Sequence, residues 1–233
     1  MPGTLYLIPT TLGGDDIDQV IPPYVAGITR QLSIFVVEDL RTARRYLSRL
    51  RLNRPIDSLT FHSLNEHSTQ SELEGCLQPL LGGLSVGLLS EAGTPAVADP
   101  GAELVMAAHR HGVRVVPLSG PSSILLALMA SGLNGQNFAF VGYLPVKPPD
   151  RAKRLRQLEN RSREEGQSQL FIEAPYRNNQ LMETLLCTLS PRTVLTVACD
   201  LTLPTEFIAS REIAMWADRP NLHKRPCIFG IQA

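Results

Sequence analysis

Neither sign of charge dominates this chain: 22 basic and 22 acidic side chains cancel. It therefore lacks the overall positive field of a basic nucleic-acid-binding domain, and any surface for RNA must be local. No apolar run approaches the roughly 18 residues needed to cross a bilayer, and Met1-Pro2-Gly3-Thr4 opens without a basic segment leading into an apolar one. The expectation is a cytoplasmic protein with no membrane partner. Cys76, Cys187, Cys199 and Cys227 lie too far apart for a C-x-x-C pair or a compact disulfide framework, and are expected as buried thiols. His62, His67, His109, His111 and His223 show no ligand spacing, so no metal site is expected.

What the chain does have is apolar residues, 43% of 233, enough to bury the core of one large α/β unit or of two small domains. Short β-rich runs, Leu5–Ile8, Ile34–Val37, Leu59–His62, Leu84–Leu89 and Val113–Pro117, alternate with helix-like segments, the pattern of a parallel sheet. After a break at Asn134-Gly135-Gln136-Asn137, the runs Phe138–Val141, Leu170–Ile172, Val194–Ala198 and Ile228–Ile231 suggest a second sheet. The fold class is α/β with two domains, residues 1–118 and 119–233. Pro148 and Pro149 suit a first helical turn, with Asp150 as its N-cap.

Positive charge is concentrated in two places. Arg41, Arg44, Arg45, Arg49, Arg51 and Arg54 lie in a stretch with no acid between Leu40 and Ile56; Lys147, Arg151, Lys153, Arg154, Arg156, Arg161 and Arg163 form the second group. Each, taken alone, reads first as the solvated face of a helix and otherwise as an RNA contact. Helical spacing puts Arg41, Arg44, Arg45 and Arg49 on one side, with Tyr46, Leu47 and Leu50 facing inward. Glu38-Asp39 sits where a strand gives way to that helix, a place where open α/β sheets bind ligands, although a helix cap explains Asp39 as well. Glu66-His67, in the loop after the third strand, suits a surface position more than an approach to the cleft.

Three turns after first-domain strands are built of glycine, proline and small hydroxyl residues that let a ligand approach the backbone: Pro9–Gly14, Ser90–Gly101 and Ser119–Ser123. Together with Leu5-Tyr6-Leu7-Ile8-Pro9-Thr10, Glu38-Asp39-Leu40-Arg41, Gly142-Tyr143-Leu144-Pro145-Val146-Lys147 and Glu173-Ala174-Pro175-Tyr176-Arg177, in this order, they resemble the tetrapyrrole methylase superfamily on its ribosomal-RNA-methylating branch. The resemblance covers nearly the whole chain. It implies an N-terminal parallel sheet and a C-terminal mixed sheet with the cofactor cleft between them, S-adenosyl-L-methionine as cofactor, usually a homodimer, and 2′-O-methylation of a ribose in ribosomal RNA of the small subunit. By motif position it assigns cofactor contacts to Leu12, Ala92, Gly93, Thr94, Val97, Ser122, Ser123, Glu173, Ala174 and, more loosely, Leu201. Thr11, Gly14, Glu91 and Leu203 depart from the family pattern.

Asp99, Glu173 and Arg177 are the candidates for the acceptor side. Asp99, followed by Pro100, also reads as a helix N-cap, and Arg177 either binds phosphate or pairs with Glu173. Tyr143 and Tyr176 offer stacking for an unpaired base or packing at the domain junction. Two other readings stay open: a methyltransferase acting on a tetrapyrrole or another small molecule, and a ribosome-binding protein without catalysis.

Overall fold

In the computed structural model, which describes all 233 residues, the chain divides into two units between Ser122 and Ser123. The first runs β1 (Thr4–Ile8), α1 (Pro23–Gln31), β2 (Ile34–Val37), α2 (Leu40–Arg49), β3 (Thr60–Ser63), α3 (Gln70–Leu81), β4 (Val86–Leu89), α4 (Ala102–Arg110) and β5 (Arg114–Pro117). Its five strands are all parallel, in the order β3-β2-β4-β1-β5. The central β2 and β4 are buried along their whole length, as continuous apolar runs in a sheet covered on both faces should be. Alternation divides them: Phe35, Val37 and Leu89 join Ile8 and Leu47 in one core layer, while Val36, Val86 and Leu88 join Leu5, Leu77 and Leu104 in the other. A parallel sheet brings every strand-to-helix turn to one edge, so the segments after β1, β2, β4 and β5 are neighbours.

The helix starts follow local chemistry, with two differences from the sequence reading. Asp39 does cap α2, its Oδ1 accepting from the Thr42 amide at 2.7 Å, and Tyr46, Leu47 and Leu50 face inward. Asp99 does not cap α4. The helix begins at Ala102 after Gly101, whose φ of +126° carries the turn beyond Asp99, and a Cβ on Gly101 would lie 2.6 Å from Leu88 Cδ2.

The second unit contains α5 (Ser123–Ser131), β6 (Phe138–Tyr143), α6 (Pro148–Glu165), β7 (Ser168–Ile172), α7 (Asn178–Thr188), β8 (Val194–Cys199), β9 (Phe207–Glu212) and β10 (Cys227–Gln232). The mixed sheet has the order β6-β7-β10-β8-β9; β6 and β7 are parallel and the other pairs antiparallel. Lys147, not Asp150, occupies the N-cap position of α6, and Asp150 falls in its first turn. Pro149, second in the helix, has no N–H, which removes one of the two amides a side-chain cap would serve. Buried Glu159 accepts from the Ser190 amide at 2.7 Å and from the Thr193 hydroxyl, anchoring the turn into β8. The edge strand β9 escapes an apolar-run search because its latter half, Ser210-Arg211-Glu212, is exposed. Cys187 is exposed while the other three thiols are buried; it lies off the 178, 181, 182, 185 spacing that α7 turns inward. No helix of either unit is long and apolar enough to cross a membrane.

Gly87 lies in the middle of β4, where a Cβ would come within 2.6 Å of Ile8 Cδ1 and 2.9 Å of Phe35 Cδ1. Gly87→Val is expected to cost about 1–3 kcal/mol through overpacking. A lower urea midpoint for the first unit's transition checks this; an unchanged midpoint contradicts the packing described.

Candidate functional site

In the first unit, the turns leaving β1, β4 and β5 are drawn together by backbone contacts. Thr10 and Gly93 form a two-residue bridge, Thr10 N donating to Gly93 O at 2.8 Å and Gly93 N to Thr10 O at 3.3 Å. The Thr10 hydroxyl reaches Ser90 O at 3.4 Å, and the Tyr46 hydroxyl donates to Pro9 O at 2.9 Å from beneath. The third turn closes on the first: a Cβ on Gly120 would lie 2.3 Å from Pro9 Cβ. At Gly93, where φ is +79°, a Cβ would meet Leu12 Cδ2 at 3.1 Å and Pro121 O at 3.5 Å. Only glycine permits approaches this close, which is the physical content of the glycines noted in these loops.

The Ser90–Gly101 segment is the most unusual stretch of backbone. Ala96 and Ala98 adopt φ values of +63° and +62°, a left-handed conformation that costs a residue bearing a Cβ about 1 kcal/mol or more. The amides of Ala92, Thr94, Ala96 and Ala98 have no backbone partner within the protein, and Ala92 and Val97 are exposed. Small side chains, strained alanines and unsatisfied N–H groups together describe a surface that a polar ligand can complete. Leu12, Gly93 and the neighbouring Ala92, Thr94 and Val97, assigned from motif position, therefore share one locality. Ser122 ends the first unit and Ser123 opens α5.

Carboxylates crowd the same edge of the sheet. Val37 pairs with Leu89 and with Ser63, so Glu38, one residue on, is level with Ser90 and with Leu64. Glu38 Oε2 is buried without a hydrogen-bond partner. Burial first, then repulsion from Asp99, Glu91, Glu66 and Asp39, pushes its carboxyl up from 4.5 to about 7. Asp99 is also raised, chiefly by burial with Glu91 adding to it, while the Ser90 hydroxyl acts in the opposite direction. The Ser90 Oγ nevertheless makes no hydrogen bond of normal geometry. Crowded acids of this kind are relieved by a cation. Glu66 and His67 are solvent-exposed and 3.4 Å apart.

The two arginine-rich groups are less free than their sequences suggest. On α2, Arg44 pairs with Asp57 and Arg49 with Asp15; the acids come from outside the acid-free stretch, and only the fold brings them there. Arg41 and Arg45 stay exposed without ion pairs. On α6, Arg161 pairs with Glu165 and Arg163 with Glu159. Arg151, expected among the surface cations, is buried, its side chain only 1% exposed.

That burial organises the second unit's candidate residues. Arg151 Nε donates to Pro145 O at 3.1 Å and its Nη2 to Val146 O at 2.6 Å, with Glu173 Oε2 at 4.0 Å. Glu173, fully buried, takes Arg177 Nη2 at 2.5 Å and the Ala174 amide at 2.7 Å on Oε1. Arg177 thus pairs with Glu173, which holds its guanidinium firmly charged. Leu201 is buried at the end of β8, between Asp200 and Thr202, both at positive φ. Asp200 accepts from Arg225 Nε at 2.8 Å, and Asn178 Nδ2 donates to Arg225 O at 2.7 Å, linking the turns that follow β7 and β8. Sequence reading passed over Glu38 as a titrating group and Arg151 as a buried one. Glu38's position one residue past an apolar strand is a usable signal, and so is the helical spacing that puts Arg151 on the same side as Leu155 and Leu158.

Comparison with known proteins identifies the family and the fold. The family described as Tetrapyrrole (Corrin/Porphyrin) Methylases matches residues 34–214. A protein of Xylella fastidiosa (strain Temecula1) named ribosomal RNA small subunit methyltransferase I is 34% identical over 215 residues, covering 91% of this chain and 74% of that one. One of the same name from Vibrio cholerae is 34% identical over 90% of this chain and 69% of its own length. Among solved structures, the methyltransferase CobJ superposes with a TM-score of 0.65 at 19% identity, over 99% of this chain and 94% of that one. The uroporphyrin-III-C-methyltransferase of Thermus thermophilus gives 0.59 at 17% identity, over 100% and 93%; at such identities these two speak for the fold. With a family match across most of its length and relatives this similar, the chain belongs to the tetrapyrrole methylase family.

Proposed function

We propose that this protein is an S-adenosylmethionine-dependent methyltransferase that modifies a ribose 2′-hydroxyl of small-subunit ribosomal RNA. The observation that carries the reading is the meeting of the β1, β4 and β5 turns through Thr10, Gly93 and Gly120, in a chain whose relatives are named ribosomal RNA small subunit methyltransferase I. Leu12, Ala92, Gly93, Thr94 and Val97 would hold the cofactor in the first unit, and the family pattern adds Ser122, Ser123, Glu173, Ala174 and Leu201. Two features favour this ligand: unpaired loop amides for its polar groups, and carboxylates crowded enough to welcome a positive charge. When bound, S-adenosylmethionine supplies an activated methyl group on a sulfonium.

The protein's own contribution is then alignment, exclusion of water and removal of one proton. Alignment of two reactants is worth roughly 7–11 kcal/mol. A ribose hydroxyl becomes a good nucleophile only as its proton leaves, and a carboxyl titrating near neutrality is suited to accept it, for about 10²–10⁴-fold in rate. Glu38, pushed up to about 7 by burial first and then by repulsion from Asp99, fills that role in this reading. Arg177, held by Glu173, supplies positive charge on the acceptor side.

Gly93→Val forces a branched side chain onto Leu12 at a positive φ and is expected to weaken S-adenosylmethionine at least tenfold in calorimetry; undiminished affinity would remove the third loop from the binding site. The kcat/KM for methyl transfer to small-subunit RNA should rise with pH as Glu38, the proton acceptor, ionises, with a midpoint below the value of about 7 in the ligand-free protein because the bound sulfonium offsets the repulsion among the carboxylates. In Glu38→Gln that rise should disappear with a loss of about 10²-fold or more. An unaltered pH profile in the variant would assign the proton to another group.

A further inference from the structure

The second unit places two exposed tyrosines side by side at the carboxyl ends of neighbouring strands. Tyr143 and Tyr176 are 64% and 62% exposed, in a chain where Phe35, Phe171, Phe229, Tyr46 and Trp216 are buried. Tyr143 ends β6 opposite Ile172 of β7, and Tyr176 follows four residues after Ile172. The register of β6 shifts between Phe140 and Tyr143, and Gly142 within that shift has a φ of +70°. A bulge of this kind re-aims the next side chain. Here it delivers Tyr143 to solvent.

A cation lies over one of the rings. The Arg177 guanidinium carbon is 5.1 Å from the centre of the Tyr176 ring, Nη1 donates to the Tyr176 hydroxyl at 3.0 Å, and Tyr143 is near enough to act on its charge. Beneath them the buried Arg151 fixes both segments at once, through Pro145 O and Val146 O on the Tyr143 side and through Glu173 on the Tyr176 side. Two guanidinium charges face one carboxylate, so the assembly carries one uncompensated positive charge. Lys147 and Lys153 stand exposed nearby in sequence without ion pairs. Exposed aromatic faces with excess positive charge match one ligand chemistry, an unpaired base with its phosphate.

We infer that Tyr143, Tyr176 and Arg177 form a docking platform for an unpaired ribonucleotide of the RNA substrate, with Arg151 as the buried positioning residue that holds the rings. This rests on the RNA methyltransferase reading, yet binding can be measured without catalysis. Fluorescence anisotropy with a labelled single-stranded oligoribonucleotide of about ten residues is the test. Tyr143→Ala and Tyr176→Ala should each bind roughly tenfold more weakly, while Tyr143→Phe and Tyr176→Phe, which keep the ring, stay within about twofold of the parent. Arg151→Met should weaken binding through the same rings, so its effect should largely vanish in the Tyr143→Ala, Tyr176→Ala background. Unchanged oligonucleotide affinity in both alanine variants overturns the platform. If those variants lose affinity only for the protein-containing small subunit, the rings contact a ribosomal protein, which also overturns it. Label transfer by the parent protein decides the methyltransferase reading separately, since the alanine variants can bind normally whether or not RNA is methylated.

Discussion

The first unit's site depends on how closely the Thr10 and Gly93 backbones approach each other. Two backbone hydrogen bonds tie the turn after β1 to the turn after β4, and the absent side chain of Gly120 lets the turn after β5 close on Pro9. The parallel register brings these turns to one edge, but register alone leaves them as separate loops. Glycine at 93 and 120 makes them one surface, and the strained Ala96 and Ala98 are the local cost of shaping it. Because strain of about 1–3 kcal/mol per residue persists only where the surroundings impose it, that loop is held in shape by its neighbours at a local cost in stability.

A different principle organises the second unit. There the determining group is a charge taken out of water: Arg151, offset by Glu173 and by two carbonyls. Removing one partner from such a pair leaves an uncompensated buried charge, which is far costlier than the pair is stabilising. The ion pair thus serves arrangement more than stability, joining the segments after β6 and β7 in a fixed geometry. The two units solve the same problem, rigid presentation of loop residues, by backbone contact in one and by buried ionic contact in the other.

Much of the fold was legible because its signals are local. Ile34–Val37 is continuous apolar sequence and becomes a central buried strand; Asp39 stands where a cap belongs and caps. The strand Phe207–Glu212 was missed because it is held by pairing with β8 more than by burial of its own side chains. The cap reading of Asp99 fails because the Asp-Pro pair does not reveal that Gly101 delays the helix start. At the candidate site the loops were visible from composition, whereas the neutralising partners of Arg44 and Arg49 and the burial of Arg151 come from residues the fold brings in from elsewhere. Charge patterns along a sequence describe supply; only the tertiary structure says which charges remain unpaired.

The most direct test of the account uses tritiated S-adenosylmethionine and small ribosomal subunits purified from cells lacking this protein, followed by alkaline hydrolysis of the labelled RNA. A 2′-O-methyl group blocks alkaline cleavage at its own linkage, so the account predicts label in a single alkali-resistant dinucleotide at one position. Label on a base, or saturable cofactor binding with no label in RNA, would contradict it.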